Sequence, residues 1–312
     1  MQKFKSKLLF QIKSGILLKH LWLKLIKTKT TPVTSEKAQN NYARKDLNYL
    51  YDCSKPKTFN EYLGWLKFNY RNPVWEICAD KIKCKEYLKS IGLEKYVVKT
   101  LSVYNSIEEI DLSLLPQKFV LKTNHDCGSI FICDKEKTDF KEVFKKLQEN
   151  LNSNYSNKNG EWVYSNIKPI IFAEEYLEAN EEDLKDYKLF IIDGIYKWGY
   201  VAQERQSDLK ISVFEDDFVL QNVEYDCIRP SKKNKPSKPE CFEEMIKIAE
   251  TIGNKLGFAR VDFYNTSKGL KVGEITFFSF SGKGCFTKYS YDLKYGNYLK
   301  ESKFIKEIKA NL

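Results

Sequence analysis

Phe258-Ala259-Arg260-Val261-Asp262-Phe263-Tyr264 and Leu270-Lys271-Val272-Gly273-Glu274-Ile275-Thr276-Phe277-Phe278 decide how this chain is read. Charged or polar residues alternate there with apolar ones, the period that sends successive side chains to opposite faces of a strand. The five residues between them, Asn265-Thr266-Ser267-Lys268-Gly269, are turn formers, so the pair reads as an antiparallel hairpin. Arg260 and Asp262 then share a face, as do Glu274 and Thr276. A turn spanning all five residues puts Asp262 opposite Val272 and diagonal to Glu274, roughly 7–8 Å away at Cα. Two carboxylates so placed would hold hard cations between them. The plainer alternative is an Arg260–carboxylate cluster that only stabilises the sheet, because a buried carboxylate needs a counter-charge in any case.

Upstream, Lys118-Phe119-Val120-Leu121-Lys122 and Ile130-Phe131-Ile132-Cys133 read as strands around the polar tip Thr123-Asn124-His125-Asp126-Cys127-Gly128-Ser129. A lysine ending a strand before such a loop suits a polyphosphate, one fixed cation plus loop N–H groups. Neither G-x-x-x-x-G-K-[ST] nor a strand-following G-x-G-x-x-G occurs, so any nucleotide site is of another type. Ile170-Ile171-Phe172-Ala173 runs into Glu174-Glu175-Tyr176-Leu177; an edge carboxylate and main-chain groups there suit an adenine amino group and a ribose, with two solvated glutamates as the alternative. Asp193-Gly194 joins strands 187–192 and 195–202. Residues 59–70, 80–90 and 139–151 read as helices, the last capped by Asp139. A further helix carries Met245, Ile248, Ile252 and Leu256 on one face and stops at Gly257. Strand pairs alternating with helices give an α+β (or α/β) enzyme with several antiparallel sheets.

The 312 residues, 42% hydrophobic with only 14 Gly and 8 Pro, are those of an ordered globular chain. The formal charge of +10 comes mostly from eight lysines among residues 1–30, which hold no acid. No basic footprint runs along the body, which argues against a nucleic-acid partner. Eight cysteines without a C-x-x-C, and only two histidines, argue against zinc. Lysines break the apolar N-terminal stretch, so it is no cleavable signal, and a cytoplasmic chain is expected. Residues 4–26 would form a basic amphipathic helix, able to lie on an anionic membrane surface at the inner face of the cytoplasmic membrane or to pack on the body. Polar residues 28–45 read as a linker.

In this order the pieces resemble the ATP-grasp superfamily, and from about residue 58 to 293 its TupA-like branch. The carrying blocks are Thr58-Phe59-Asn60-Glu61-Tyr62-Leu63, Ala79-Asp80-Lys81, Phe119 to His125, Asn166-Ile167-Lys168-Pro169, Ala173 to Leu177, Asp186-Tyr187-Lys188, and the final hairpin. The resemblance implies an ATP-grasp fold, two α+β subdomains clamping ATP. The chain would divide into a basic helix (1–30), a linker (31–48), an N-terminal region (49–117), a lid subdomain with the phosphate-binding loop (118–173) and a C-terminal subdomain with the metal site (174–312). ATP would meet Lys81, Lys122, Asn124, His125, Gly128, Ser129, Glu174, Glu175, Tyr176, Leu177, Asp186 and Lys188. Mg²⁺ would meet Asp262 and Glu274, while Arg260 and Lys122 act in catalysis. Two departures stand out: Thr276 replaces the usual Asn two residues after the Glu, and Asp126 puts a negative charge in the phosphate loop. The implied activity is a carboxylate–amine ligase working through an acylphosphate, with a uronic-acid glycan as carboxylate, an amine as co-substrate and bacterial capsule or surface polysaccharide as product. A sugar or polyol kinase and a non-catalytic scaffold in glycan assembly are the alternatives.

Overall fold

In the computed structural model, which describes residues 32–312 other than 48, 127, 154, 180–183, 205–206 and 232–233, the chain builds two antiparallel sheets. The first comprises β1 (Thr100–Tyr104), β2 (Lys118–Thr123), β3 (Ile130–Asp134) and β4 (Ile171–Glu175), in the order β1-β4-β2-β3. Phe119 and Leu121 face its small core with Leu147 from helix α5 (Phe140–Leu151), whereas Val120 and Lys122 face the other way. Asp139 caps α5 by accepting from the Lys141 and Glu142 amides.

The second sheet comprises β5 (Asp186–Ile192), β6 (Ile195–Gln203), β7 (Lys210–Glu215), β8 (Val219–Leu220), β9 (Phe258–Thr266) and β10 (Gly269–Thr276), in the order β10-β9-β5-β6-β7-β8. Asp193 and Gly194 take φ of 53° and 73°, the left-handed pair of a tight hairpin between β5 and β6. Helix α7 (Phe242–Leu256) buries Met245, Ile248, Ile252 and Leu256 against the sheet. It stops at Gly257, where φ is 72° and a Cβ would come within 2.3 Å of the Phe304 ring.

Helix α2 (Phe59–Asn69) opens on a capping box, with Thr58 and Glu61 each accepting from the other's backbone amide. It is buried almost all round rather than on one face, because it runs between the large sheet and helix α8 (Tyr289–Glu301). Asp292 of α8 accepts from the Asn60 amide and side chain at 3.1 and 2.8 Å. Trp198 is stacked between Phe190 and Tyr295, with centroids 3.9 and 4.1 Å away. The helix expected from 80 to 90 is α4 (Lys81–Ser90), with Asp80 as its cap, and a short α3 (Pro73–Ala79) precedes it.

Within the stretch read as a linker lies helix α1 (Glu36–Ala43), started by Ser35. It has little apolar periodicity; tertiary contacts hold it, with Ala43 and Gln39 fully buried and Gln39 bonded to Lys67 and Ser281. The expected basic helix of residues 1–30 lies outside the described residues. Among the described residues no helix is long and apolar enough to cross a membrane.

Candidate functional site

The β9–β10 hairpin is tighter than its sequence suggests. Thr266 pairs with Gly269, so two residues turn the chain instead of five. That register would run on to set Asp262 opposite Gly273, sending Glu274 opposite Val261 on the apolar face. It breaks between Val272 and Glu274, with Gly273 the extra residue of a β-bulge. Glu274 therefore lies directly opposite Asp262, and Thr276 opposite Arg260, correcting the diagonal arrangement inferred above. Gly suits the bulge, since a Cβ there would come within 2.6 Å of the Tyr264 ring and displace it.

On the face so formed, the Arg260 guanidinium donates to Asp262 through Nε and Nη2, at 2.7 and 2.8 Å. Nη2 also donates to Glu274 Oε1 at 2.9 Å and Thr276 Oγ1 at 3.0 Å, and Nη1 to Ser279 Oγ at 3.1 Å and Tyr200 Oη at 3.3 Å. Lys188, paired across the sheet with Asp262, donates to Asp262 and lies 2.7 Å from Asp186 Oδ2. Burial disfavours the charges on Lys188 and Arg260, but the carboxylates outweigh it and raise both pKa values. Burial pushes Asp262 upward, against the pull of Arg260 and Lys188. Glu274, its side chain a third exposed, is held well below the usual range by Lys188 and Arg260 in spite of desolvation.

Lys122, at the far end of the site, donates to the buried Glu174 of β4, whose other oxygen lies 2.5 Å from Lys85 Nζ. Lys85 also donates to Val98 O at 2.9 Å and Thr100 Oγ1 at 2.7 Å, tying α4 to the small sheet. Glu174 stays ionised because its two lysines overcome its desolvation. Lys122, Gly128, Glu174, Glu175, Tyr176 and Leu177 line one cleft of about 360 Å³, whose apolar walls are Val120, Ile130, Ile132 and Leu184, with Tyr264 of β9.

The loop after β2 is arranged differently. Asn124 Oδ1 accepts from the Ile170 amide at 2.9 Å and its Nδ2 donates to Lys168 O at 3.1 Å. Asp126 accepts from Thr123 Oγ1 at 2.6 Å and from the Ser129 hydroxyl, while Lys81 donates to its carbonyl and lies 3.8 Å from its carboxylate. The charge of Asp126 is thus met by the loop's own hydroxyls and by Lys81 of α4. His125 is buried, and desolvation lowers its pKa. None of Asn124, His125 and Ser129 lines either large cleft, and Cys127 lies outside the described residues. Lys81 and Lys85, four apart on α4, share a small gap of about 20 Å³ with Gly273 and Glu274, linking this loop to the bulge.

A second cleft, of about 550 Å³, opens on the other side of the charge cluster. Lys188, Arg260, Glu274 and Thr276 form one end, and Tyr42, Tyr155, Tyr164, Tyr200 and Phe280 supply aromatic walls. The turn after β10 shapes it, with Phe280 and Ser281 at φ of 46° and 57°, two successive left-handed residues that are not glycine. Such backbone costs roughly 1–3 kcal/mol per residue and persists only where its surroundings enforce it. Here Ser279 is bonded to Arg260, and the Ser281 carbonyl accepts from the buried Lys67 at 3.0 Å.

Along β9, Tyr264 lines the smaller cleft, Arg260 the larger, and Asp262 lies between them on the same face. Lys85, Tyr200 and Ser279 are members of the site that sequence reasoning missed. Lys85 was findable from its position four residues after Lys81, on the same helical face. Tyr200 and Ser279 enter only through register and a strained turn. Oxygen-only donors on paired strands suit Mg²⁺, which binds through one or two carboxylates and completes its shell with water and substrate phosphates. Among the described residues no three His, Cys, Asp or Glu side chains converge as a self-sufficient metal cage.

The family model for TupA-like ATP-grasp matches residues 61–300. A search of curated proteins gives no match. Similar solved structures include D-alanine–D-alanine ligase from Bacillus anthracis complexed with ATP, 16% identical over 75% of this chain and 66% of that one, with a TM-score of 0.42. The Helicobacter pylori D-alanine–D-alanine ligase is 16% identical, covering 81% and 69%, with a TM-score of 0.42. The ATP-grasp ligase PsnB complexed with minimal precursor is 13% identical, covering 67% and 55%, with a TM-score of 0.38. The chain thus spans just under two thirds of the first of these proteins and little more than half of PsnB.

Proposed function

Because this chain belongs to the TupA-like ATP-grasp family, we propose that it is an ATP-dependent carboxylate–amine ligase that forms an amide on a uronic-acid sugar of a bacterial capsule or other surface polysaccharide. The observation that carries this reading is the file of Tyr264, Asp262 and Arg260 on one strand face, running from an apolar cleft to a polar, aromatic one. A nucleotide in the first and a carboxylate in the second would meet at the charge cluster between them. Adenine would lie between Val120, Ile132, Tyr176 and Leu177, with Lys122 toward the phosphates. The tyrosine walls of the larger cleft suit the faces of a sugar ring.

Asp262 and Glu274 would hold Mg²⁺, with Thr276 beside them; when bound, the ion neutralises phosphate oxygens during transfer. The substrate carboxylate, held at Arg260, attacks the γ-phosphorus, and ADP departs. Lys188 and Arg260, already fixed in a buried network, stabilise the charge that spreads over the transferring group without reorganising. Arg260 then holds the acylphosphate while an amine displaces phosphate. The lysine-rich residues 1–30 would bring the enzyme to an anionic membrane surface where glycans are assembled.

The test is ³¹P NMR of the protein with ATP, Mg²⁺ and a pool of uronic acids, with and without a pool of amines, repeated for Glu274→Ala. ADP and phosphate that require both acid and amine, and vanish in the variant, support the ligase. A phosphate ester formed without amine would instead make the protein a kinase, and failure of Mg·ATP to raise the melting temperature would point to a scaffold.

A further inference from the structure

Glu161 is a carboxylate that none of the steps above uses. It is 3% exposed, yet it lines the larger cleft together with Arg260. Among the described residues its carboxylate has one hydrogen-bond partner, the Ser281 hydroxyl, and no Lys or Arg within ion-pair distance. Lys67, a buried cation whose charge acts on Glu161, directs the hydrogen bonds of its ammonium elsewhere, to Gln39 Oε1 at 3.1 Å, Asn159 O at 2.7 Å and Ser281 O at 3.0 Å. A buried carboxylate with one hydrogen bond and no direct ion pair has room to accept a further donor from the cleft.

The surroundings specify what that is. Tyr155 and Tyr164, in edge contact at 5.1 Å, line the cleft beside Glu161, and aromatic faces with a carboxylate make an ammonium site. The opposite end, with Arg260 and Lys188, is where the reading above places the substrate carboxylate. The Ser279–Gly282 turn joins the two ends, since Ser279 accepts from Arg260 and Ser281 donates to Glu161. Burial raises the pKa of this carboxylate against the opposing pull of Lys67, the Ser281 hydrogen bond, Arg260 and Lys283, as a proton acceptor for an amine requires.

We infer that Glu161 receives the ammonium group of the amine co-substrate and takes its proton, an assignment that rests on the ligase reading. The ammonium gives one proton to Glu161 and its freed lone pair forms the C–N bond at the acyl carbon. The acyl C–O bond breaks, its electron pair leaves with phosphate, and the second N–H proton goes to that phosphate. Amide, hydrogen phosphate and one proton, released from Glu161 to water, balance the reaction.

Two experiments on the full chain separate this assignment from the ligase reading. Saturation-transfer NMR with ethanolamine and the common amino acids, in the presence of glucuronate, should show amine signals with the wild type and none with Glu161→Gln. Glu161→Asp, which keeps the charge near Lys67, should retain them. Equal signals from wild type and Glu161→Gln, or none from the wild type, overturn the assignment. The second experiment supplies ATP, Mg²⁺, glucuronate or galacturonate and hydroxylamine, a nucleophile already neutral at pH 7. Glu161→Gln should form hydroxamate as the wild type does, which also shows that it is folded, while its amide formation falls about 100-fold or more. Amide formation undiminished in Glu161→Gln overturns the assignment. No hydroxamate from the wild type overturns the ligase reading and leaves the NMR result to judge Glu161.

Discussion

Glu274 faces Asp262 squarely across the last hairpin only because Gly273 is an extra residue in β10. A straight ladder would bury the Glu274 carboxylate against Val261. Placement of the second acid thus depends on a residue with no side chain. Gly273→Ala drives a methyl group into the Tyr264 ring, and urea denaturation should show a loss of about 1–3 kcal/mol. Deleting Gly273 should leave Glu274 on the same face, because Val272 and Glu274 then pair with Phe263 and Asp262 in an unbroken ladder. A Gly273→Ala variant as stable as the parent would refute the close approach of the bulge to the Tyr264 ring.

Glu174 is held by two cations from different elements. Lys85→Met should destabilise the protein by about 3–5 kcal/mol, since a buried carboxylate loses a partner. It should also loosen α4 from β1, where Lys85 bonds Thr100. Hydrogen exchange at Val98 and Thr100 reports this directly, and unchanged protection would show that the contact carries no weight.

Glu274→Gln removes a negative charge from Arg260 and, in the proposed chemistry, one Mg²⁺ ligand. Turnover should fall by about 100-fold or more, and the rise in melting temperature with Mg·ATP should shrink. A variant with full turnover would confine Glu274 to the structural role considered first for this cluster.

His125 supplies a pH signature. Burial lowers its pKa, so the neutral form is favoured in the folded chain. Above about pH 6.5 both folded and unfolded chains hold it neutral. As the pH falls below that value the unfolded chain takes up the proton first, and stability is lost until the lowered folded pKa is passed. The other histidine, His20, lies in the N-terminal stretch. Denaturation midpoints for wild type and His125→Gln should therefore converge as the pH drops from 7, and parallel curves would refute this account.

The fold was legible where local chemistry and tertiary structure agree. Asp193-Gly194, the Asp139 cap, the α7 stripe ending at Gly257 and both chemistry-bearing hairpins are in place. The register of β9–β10 was not, because a one-residue bulge leaves no mark on an alternating pattern beyond a glycine. Helix α1 was hidden for another reason: its stability comes from Gln39 and Ala43 meeting residues far along the chain. In the site, residue types were readable and their partners were not. Asp126 looked like a charge aimed at phosphate, but Thr123 and Ser129 of its own loop and Lys81 of α4 absorb it.

Each expected cation of the site already has a carboxylate: Lys81 with Asp126, Lys122 with Glu174, Lys188 with Asp186 and Asp262, Arg260 with Asp262 and Glu274. Such a surface is close to electroneutral and offers little to a bare anion. Free phosphate or sulfate would have to displace a carboxylate at every contact, whereas a polyphosphate arriving with its own divalent counterion brings the charge those carboxylates can take up. Admission to the site is then an exchange of partners, which favours the metal complex over the naked nucleotide and makes occupancy only weakly dependent on ionic strength.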